Sequence, residues 1–252
     1  MENRKIYFIS DAHLGLATKE PSLVRERYLV DLLNRAKADA SEIFLLGDIF
    51  DFWFEYKRVV PKGFTRLLGK IAELTDSGIP VHFFTGNHDI WAFDYLPSEI
   101  GVQMHRGPLT IERFGKRFYL AHGDGLGPGD KAYRLLKWVF TRKTLQWLFA
   151  RLHPNFSMWF GHRWSYNSRY AKAIFNNFKG ESEDLWIYSN EILKHEHFDY
   201  FVYGHRHALA FMPLKDGEAT LVVLGDWIVN FTYGVFDGEK FEMLKYHGDG
   251  SI

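Results

Sequence analysis

Five short clusters of His, Asp and Asn constrain the fold of this chain more than any other feature. Each cluster follows almost directly after a short run rich in Ile, Phe, Leu and Val, as buried β-strands are. The carboxyl ends of neighbouring strands in an α/β sheet meet at one edge, where such sheets bind ligands. We therefore expect the five clusters to converge. They are Asp11-x-His13, Gly47-Asp48-x-x-Asp51, Gly86-Asn87-His88-Asp89, His122-Gly123-Asp124 and Gly204-His205-Arg206-His207.

The apolar pattern changes along the chain. In the first part, strands predicted at 5–10, 43–46 and 81–84 alternate with helices predicted at 21–37 and 64–77, which indicates a largely parallel sheet. Later, pairs of strands flank short turns and predict hairpins. These pairs are 110–114 with 118–121, 211–214 with 219–224, and 235–236 with 240–245. Together the patterns predict a mixed α/β sandwich.

A long helical stretch separates these two parts. Leu145, Leu148, Phe149 and Leu152 recur at the i, i+3, i+4, i+7 spacing of one helix face. No low-complexity tract or obvious linker interrupts the sequence. We therefore predict a core formed by 1–128 and 198–252, with a helical cap at 129–197 inserted between two strands of that core.

Composition excludes several classes of function. The chain contains no cysteine, so disulfides, thiolate metal sites and cysteine nucleophiles are ruled out. Its first ten residues lack the apolar stretch of a signal peptide. No run approaches the ~18 apolar residues that a membrane-spanning helix needs. We expect a cytoplasmic protein, which can still lie on a membrane surface.

The residue types in the clusters indicate a metal site. His, Asp and Asn without sulfur suit Mn, Fe, Zn or Mg. Residues i and i+2 of an extended segment point the same way, so Asp11 with His13, and His205 with His207, can each direct two side chains at one place. A single Asp-x-His or Gly-Asp pair is weak evidence, because a lone histidine is usually structural. Five clusters, each at a strand end, are difficult to explain by chance.

In this order, the motifs D-x-H, G-D-x-x-D, G-N-H-D, H-G-D and G-H-x-H resemble those of the calcineurin-like metallophosphoesterases. The resemblance covers roughly 1–125 and 198–232. It implies an α/β fold, namely a four-layer α/β/β/α sandwich, and a site for two divalent metal ions. Mn²⁺ is the metal expected at both positions. It also implies two ligand sets that share Asp48. The first is Asp11, His13, Asp48 and His207, and the second is Asp48, Asn87, His122 and His205.

The same resemblance assigns roles to the residues around the ligands. His88 would act catalytically near the leaving oxygen, as a proton donor or charge stabiliser, and Asp89 would orient it. Asp51 and Asp124 are expected to support the ligands rather than bind metal. The histidines outside the motifs are expected to be structural.

The charge of the predicted cap is one-sided. Residues 131–180 contain ten Lys or Arg and no Asp or Glu, interleaved with Trp and Phe. Such a surface fits anionic headgroups and acyl chains. A helical hairpin with an aromatic core and a solvated basic face is the plainer alternative. Nucleic acid is a third possibility, because aromatic rings stack on bases, although no nucleic acid partner is expected.

A second resemblance favours the lipid interpretation. The segments Asp48-Ile-Phe-Asp-Phe-Trp53, His122-Gly-Asp-Gly-Leu126 and Leu224-Gly-Asp-Trp227 are similar to those of the UDP-2,3-diacylglucosamine hydrolases. These enzymes of lipid A synthesis cleave a pyrophosphate to UMP and 2,3-diacylglucosamine 1-phosphate. The resemblance implies a nucleotide–lipid substrate and a peripheral location on the cytoplasmic face of the inner membrane.

Substrate contacts follow in part from this resemblance. It implies that Asn87, His88, Asp130 and Tyr133 contact the substrate. In the cap the match is loose, and charge and spacing nominate four further contacts. The four are Arg163, Ser165, Arg169 and Lys172. Ser165, Arg169 and Lys172 are spaced four and three residues apart, so they would share one helix face.

Two departures from the second family leave alternatives open. His88 stands where its best-known members have Arg, and Arg206 stands where Thr is common. A phosphodiesterase or nuclease acting on another phosphodiester is therefore an alternative. A catalytically silent binding scaffold with the same fold is another, but a scaffold would be expected to lose metal ligands, and all seven positions are filled.

Overall fold

Two β-sheets form the centre of the protein in the computed structural model, which describes residues 5–129, 131–170, 178–215 and 217–247. The strands are β1 Lys5–Ile9, β2 Ala40–Leu45, β3 Val81–Phe84, β4 Gln103–His105, β5 Leu109–Arg113, β6 Lys116–Ala121, β7 Tyr200–Tyr203, β8 Leu209–Pro213, β9 Thr220–Leu224, β10 Thr232–Phe236 and β11 Phe241–Lys245. The first sheet has the order β11-β10-β1-β2-β3-β4, and the second has the order β5-β6-β7-β9-β8.

The helices cover the outer faces of these sheets or lie between β6 and β7. They are α1 Ser22–Ala36, α2 Thr65–Asp76, α3 Tyr95–Ile100, α4 Lys131–Phe140, α5 Lys143–Phe149, α6 Pro154–Tyr170 and α7 Asp184–Leu193, with a 3₁₀ turn at Gly180–Ser182. Among the described residues, no helix is both long and apolar enough to cross a membrane.

The alternation of side chains along β1 shows why the sheets are buried on both faces. Successive residues of a strand point to opposite faces. Phe8 packs between the two sheets with Phe44 and Phe118, whereas Ile9 faces the layer of α1 and α2. A strand placed in this way must be almost continuously apolar, as β1 is after Lys5.

The packing of the outer helices completes four layers. Leu29 of α1 and Leu67 of α2 are fully buried against the first sheet. On the other side, Leu185 and Trp186 of α7 are buried against the second sheet with Phe201. The predicted α/β/β/α sandwich is therefore confirmed.

The predicted elements correspond closely to the observed ones, with two omissions. Strands β1 to β3 lie where the sequence predicted them, although β2 begins earlier, at Ala40. The short elements α3 and β4 were not predicted. Strand β4 contains one apolar residue in three and exists through its parallel pairing with β3, which a local pattern does not reveal.

Three of the helices between β6 and β7 sit over the loops that follow β2 and β3. The Phe149 ring of α5 lies 4.7 Å from the Phe54 ring and 4.9 Å from the Trp91 ring. Helix α6 approaches the core so closely that a Cβ at Gly161 would lie 2.3 Å from the Phe52 ring. Glycine is therefore required at that contact. The division of the chain into a core and a cap remains a prediction.

Candidate metal centre

All five polar clusters meet at one end of the two sheets. They follow the parallel strands β1, β2 and β3 of the first sheet and β6 and β7 of the second. Backbone hydrogen bonds join neighbouring clusters, such as Asp11 N–H to the Gly47 carbonyl at 3.1 Å and Gly204 N–H to the His122 carbonyl at 3.0 Å. These backbone hydrogen bonds fix the loops relative to one another without any contribution from a ligand.

The first predicted ligand set is assembled around Asp11. Its Oδ1 lies 3.5 Å from His13 Nε2 and 3.4 Å from His207 Nε2, and these two nitrogens are 3.1 Å apart. Asp48 Oδ2 is 3.6 Å from His13 Nε2. The four predicted residues therefore present their ligand atoms to one point.

The second predicted set lies beside the first. His122 Nε2 is 3.4 Å from Asp48 Oδ2 and 3.4 Å from Asn87 Oδ1. His205 Nδ1 is 2.9 Å from the same Asn87 oxygen. These four residues converge on a second point on the other side of Asp48.

Asp48 stands between the two sets. Its Oδ1 accepts the His88 backbone N–H at 2.8 Å, which fixes the carboxylate and leaves Oδ2 towards both groups of histidines. A Cβ at Gly86 would lie 2.2 Å from Asp48 Oδ1, so only glycine permits this loop to pass so close. One carboxylate is thereby positioned to contact two cations.

The residues present fit divalent metal ions. Metal–ligand distances of about 2.0–2.2 Å place neighbouring ligand atoms roughly 3.0–3.5 Å apart, close to the separations in both sets. Asp11 Oδ1 is buried and accepts no hydrogen bond from the described residues, whereas Oδ2 accepts from the Ser10 hydroxyl and the His205 N–H. A buried carboxylate oxygen without a donor is costly, and a cation would satisfy it.

Backbone strain is concentrated at the same residues. Five of the seven predicted ligands adopt positive φ angles between 42° and 66°, a region that non-glycine residues seldom occupy. Such strain persists only where the surrounding structure enforces it, and it clusters at functional sites. The five are Asp11, His13, Asp48, His205 and His207.

Electrostatics also favour positive charge here. Burial lowers the pKa of His122, but the charge of Asp48 outweighs it and raises the pKa to about 10. Burial raises the pKa of Asp89 to about 7, with a further contribution from Asp48. Burial likewise raises the pKa of Asp11. Several carboxylates crowd into a space that a cation would stabilise.

We predict that Mn²⁺ stabilises the protein strongly. A ligand at a hundred times its Kd adds ~2.7 kcal/mol to the free energy of unfolding, or roughly 5–10 °C in Tm for a chain of this size. Thermal denaturation with EDTA and with Mn²⁺ measures the shift. An equal shift in Asp48→Asn would show that the ion binds elsewhere.

Partners of the histidine rings fix which nitrogen faces the centre. The Leu46 carbonyl lies 2.8 Å from His122 Nδ1, which must donate, so Nε2 is the nitrogen left to bind a metal in place of its proton. Asp51 Oδ1 lies 3.8 Å from His13 Nδ1, and Asp226 Oδ2 lies 3.7 Å from His207 Nδ1. Carboxylates behind metal-bound histidines commonly orient them in this way.

Asp226 is a site residue that the sequence reasoning did not nominate. It is buried directly after β9, and its Oδ1 accepts the backbone N–H groups of Ile228 and Val229. Its position in the Gly225-Asp226-Trp227 segment, behind another strand of the second sheet, was the available signal. Its contact with His207 extends the centre to a sixth loop.

Replacing Asp226 by Asn is expected to weaken metal binding. The amide cannot stabilise the His207 ring as a carboxylate does, and such outer partners typically account for 10–100-fold in affinity. Calorimetric titration with Mn²⁺ gives the affinity. Asp237→Asn, in the exposed β10–β11 turn, is the control, and equal affinities in both variants would contradict the role.

Asp89, which the resemblance assigns to orienting His88, contacts the backbone of two ligand loops. Its Oδ2 accepts the Ile49 N–H at 2.9 Å and its Oδ1 accepts the Gly86 N–H at 2.7 Å. The buried carboxylate thus holds two ligand loops together. His88 Nδ1 lies 2.9 Å from the Asp51 carbonyl and 3.0 Å from Ser165 Oγ, and these groups help to orient the ring. The orienting role of Asp89 remains a prediction.

Helices α4 and α6 reach the loops of the centre. Ser165 is buried and donates to Asp51 Oδ1 at 2.9 Å. His162, which was expected to be purely structural, places its Nδ1 3.5 Å from Asp51 Oδ2. On α4, the Tyr133 hydroxyl and Lys137 Nζ both donate to Asp124, at 2.6 and 2.7 Å. Asp51 and Asp124 therefore connect the metal loops to the helices above them.

Four other residues were predicted to contact the substrate, and for these the structure gives little or no side-chain information. The Arg163 side chain is exposed on α6. The Arg169 side chain, Lys172 and Asp130 lie outside the described residues. Their proposed contacts with substrate remain predictions.

The fold and this centre define a class of enzyme. The sequence model of the calcineurin-like phosphoesterases matches residues 4–209. The chain belongs to this family, and the predicted class, a metal-dependent phosphoesterase, is confirmed.

Within that class, the chain is similar to UDP-2,3-diacylglucosamine hydrolases. It is 41% identical to that of Porphyromonas gingivalis, over 93% of this chain and 94% of the relative. It is 26% identical to that of Vibrio atlanticus, over 95% and 96% of the two chains. For Neisseria meningitidis serogroup A the identity is 27%, over 98% and 95%. The second resemblance seen in the sequence is thereby confirmed.

Proposed function

We propose that the protein hydrolyses the pyrophosphate of UDP-2,3-diacylglucosamine to UMP and 2,3-diacylglucosamine 1-phosphate, a step of lipid A biosynthesis. One structural observation carries the proposal: two ligand sets that share Asp48 lie beneath helices whose large apolar side chains face outward. The ligand sets suit a phosphate ester, and the exposed apolar side chains suit an acyl chain. Full-length similarity to the Porphyromonas gingivalis enzyme supports the same substrate.

We propose the seven motif residues as ligands of two divalent ions, most suitably Mn²⁺. Asp11, His13 and His207 would hold one, and Asn87, His122 and His205 the other, with Asp48 common to both. Bound there, the ions would stabilise charge developing on phosphoryl oxygens and lower the pKa of a water molecule. The positive φ angles of five ligands fix the ligand atoms in advance, which limits reorganisation during the reaction.

His88 is placed to act on the leaving oxygen. The Asp51 carbonyl and Ser165 Oγ hold its Nδ1 proton. Nε2 therefore faces the centre, 4.0 Å from Asp48 Oδ2. In hydrolysis a water oxygen forms a bond to one phosphorus, the bond between that phosphorus and the bridging oxygen breaks, and the bridging oxygen leaves with negative charge. A protonated Nε2 can donate to it, or stabilise it by a charge-assisted hydrogen bond.

The cap would hold the lipid half of the substrate. Ten of the sixteen exposed large apolar side chains among the described residues lie between Leu135 and Trp164. A helical hairpin with an aromatic core would bury the six Trp and Phe rings among these ten side chains, so their exposure supports the lipid interpretation of the cap over that alternative. We propose that Ser165, Arg163, Arg169, Lys172, Tyr133 and Asp130 contribute polar contacts around the sugar and phosphates.

We also propose that the protein lies peripherally on the cytoplasmic face of the inner membrane. Arg142 stacks over Trp138 at 3.9 Å, and Arg151 over Trp147 at 4.4 Å. Both Trp side chains are more than half exposed. Basic and aromatic side chains together suit an anionic lipid surface. Replacing Trp138 and Trp147 by alanine should reduce cosedimentation of the protein with anionic vesicles. Unchanged binding to the vesicles would contradict the proposed membrane location.

The decisive experiment is incubation of the purified protein with UDP-2,3-diacylglucosamine and Mn²⁺ in detergent, with products identified by mass spectrometry. UMP together with the diacyl sugar phosphate is the expected result. Cleavage of a generic phosphodiester without cleavage of this lipid would retain the metal mechanism and reject the substrate. In that case a soluble phosphodiester would become the leading candidate.

A further inference from the structure

A small open pocket lies beside the second ligand set, between the end of the first sheet and α4. Its lining includes Thr85, Arg106, Pro108, His122 and Lys137. The accessible space is about 40 Å³, which corresponds to roughly three water positions. That size suits one phosphate group rather than a nucleobase. Thr85, Arg106 and Pro108 lie outside the five motifs that form the ligand sets.

Arg106 is fixed on one side only. It follows β4, and its Nη2 donates to the carbonyls of Ala92 at 2.6 Å and Phe93 at 3.1 Å. Its guanidinium also lies 5.8 Å from the centre of the Phe93 ring. Within the described residues, its Nε and Nη1 have no hydrogen-bond partner. The side chain is thus held in place with donors still available, in a geometry suited to phosphate oxygens.

Lys137 brings a second cation from the cap. Its Nζ is held 2.7 Å from Asp124 Oδ2, and Asp124 follows the predicted ligand His122 by two residues. Two cations and one carboxylate leave the pocket with a net positive charge. Burial lowers the pKa of Arg106, which reflects the cost of a desolvated charge that an anion would offset.

We propose that this pocket binds the phosphate of the substrate that is not attacked, through Arg106 and Lys137. The inference rests on the proposed function, because only a pyrophosphate carries a second phosphate one bridging oxygen away from the reacting one. Since His122 lines the pocket, an anion there would lie beside the metal centre. Core and cap each supply one cation, so a bound pyrophosphate would join them.

Calorimetric titration of the Mn²⁺-loaded protein with UDP and with UMP tests this directly. These probes differ by one phosphate. In the wild type, UDP should bind at least about tenfold more tightly, as charge-assisted hydrogen bonds to that group imply. In Arg106→Gln the ratio of the two affinities should fall towards one. Arg117→Gln, a surface arginine paired with Glu196, is the matched control and should keep the ratio.

Lys137→Gln is a second variant on a partly exposed helix, and it should reduce the ratio by a smaller factor because Asp124 already screens the lysine. Equal loss of UDP and UMP affinity in Arg106→Gln would show that Arg106 only supports its loop and would overturn the inference. An unchanged ratio would overturn it too. If the ratio falls but wild-type protein does not cleave UDP-2,3-diacylglucosamine, the pocket stands and the proposed substrate fails.

Discussion

Replacing Asp48 by alanine should abolish hydrolysis of every phosphoester substrate, with at least a ~10³-fold loss of kcat/KM. Asp48 Oδ2 faces His13 on one side and His122 on the other, so its removal damages both ligand sets. Metal ions contribute several kcal/mol to stabilising a phosphoryl transition state, and about 4 kcal/mol corresponds to this loss. Hydrolysis of bis(p-nitrophenyl) phosphate and of the lipid substrate should fall together.

The metal content of the variants separates loss of the site from loss of the fold. Asp48→Asn keeps the side-chain shape and an acceptor for the His88 N–H, but it carries no charge. Elemental analysis should find less than one ion per chain in this variant. Asp76→Asn, at the exposed end of α2, is the control. Retention of a tenth or more of wild-type activity in Asp48→Ala would refute the shared role of this carboxylate.

Replacing the exposed aromatic residues Phe160 and Trp164 of α6, here called the aromatic stripe, should selectively weaken hydrolysis of the lipid substrate. The rings of Phe160 and Trp164 lie 6.0 Å apart, and both side chains are more than two-fifths exposed. Contact between an acyl chain and a large apolar side chain is worth ~1.5–3 kcal/mol. The double variant Phe160→Ala, Trp164→Ala should therefore raise KM for the diacyl substrate by roughly 10–100-fold.

A small soluble diester separates loss of acyl-chain binding from damage to the metal centre. Hydrolysis of bis(p-nitrophenyl) phosphate should fall much less than hydrolysis of the lipid, because that substrate has no acyl chain to bury. Phe114→Ala, an exposed aromatic residue between β5 and β6, is the control and should behave as wild type. An equal loss on both substrates would mean that the stripe supports the metal centre rather than the lipid.

The sequence predicts the convergence of the five clusters because each of them follows a strand that is largely buried on both faces. Such strands, like β1, are almost continuously apolar and are visible locally. Their order in the sheets is not needed, because parallel strands bring their carboxyl ends together in any order. For this reason the two ligand sets converge as the motifs implied, even though β4 was missed.

Contacts between distant segments were beyond the reach of the local pattern. The resemblance assigns Asp89 to orienting His88, but it gives no sign that the Asp89 carboxylate also accepts a hydrogen bond from the backbone of the Asp48 loop. His162 approaches Asp51 only because Gly161 permits α6 to lie against Phe52. Neither contact leaves a periodic signal, since each joins segments that are far apart in the chain.

The ligand sets draw on both sheets, and this has a consequence for synthesis of the chain. Asp11, Asp48, Asn87 and His122 belong to the first half of the sequence, whereas His205 and His207 follow β7. A ribosome-bound chain of about half length therefore holds an incomplete set of donors for either ion. Because metal binding and folding are thermodynamically coupled, high-affinity metal capture should be a late event. A nascent chain would then have no phosphoesterase activity until β7 had joined its sheet.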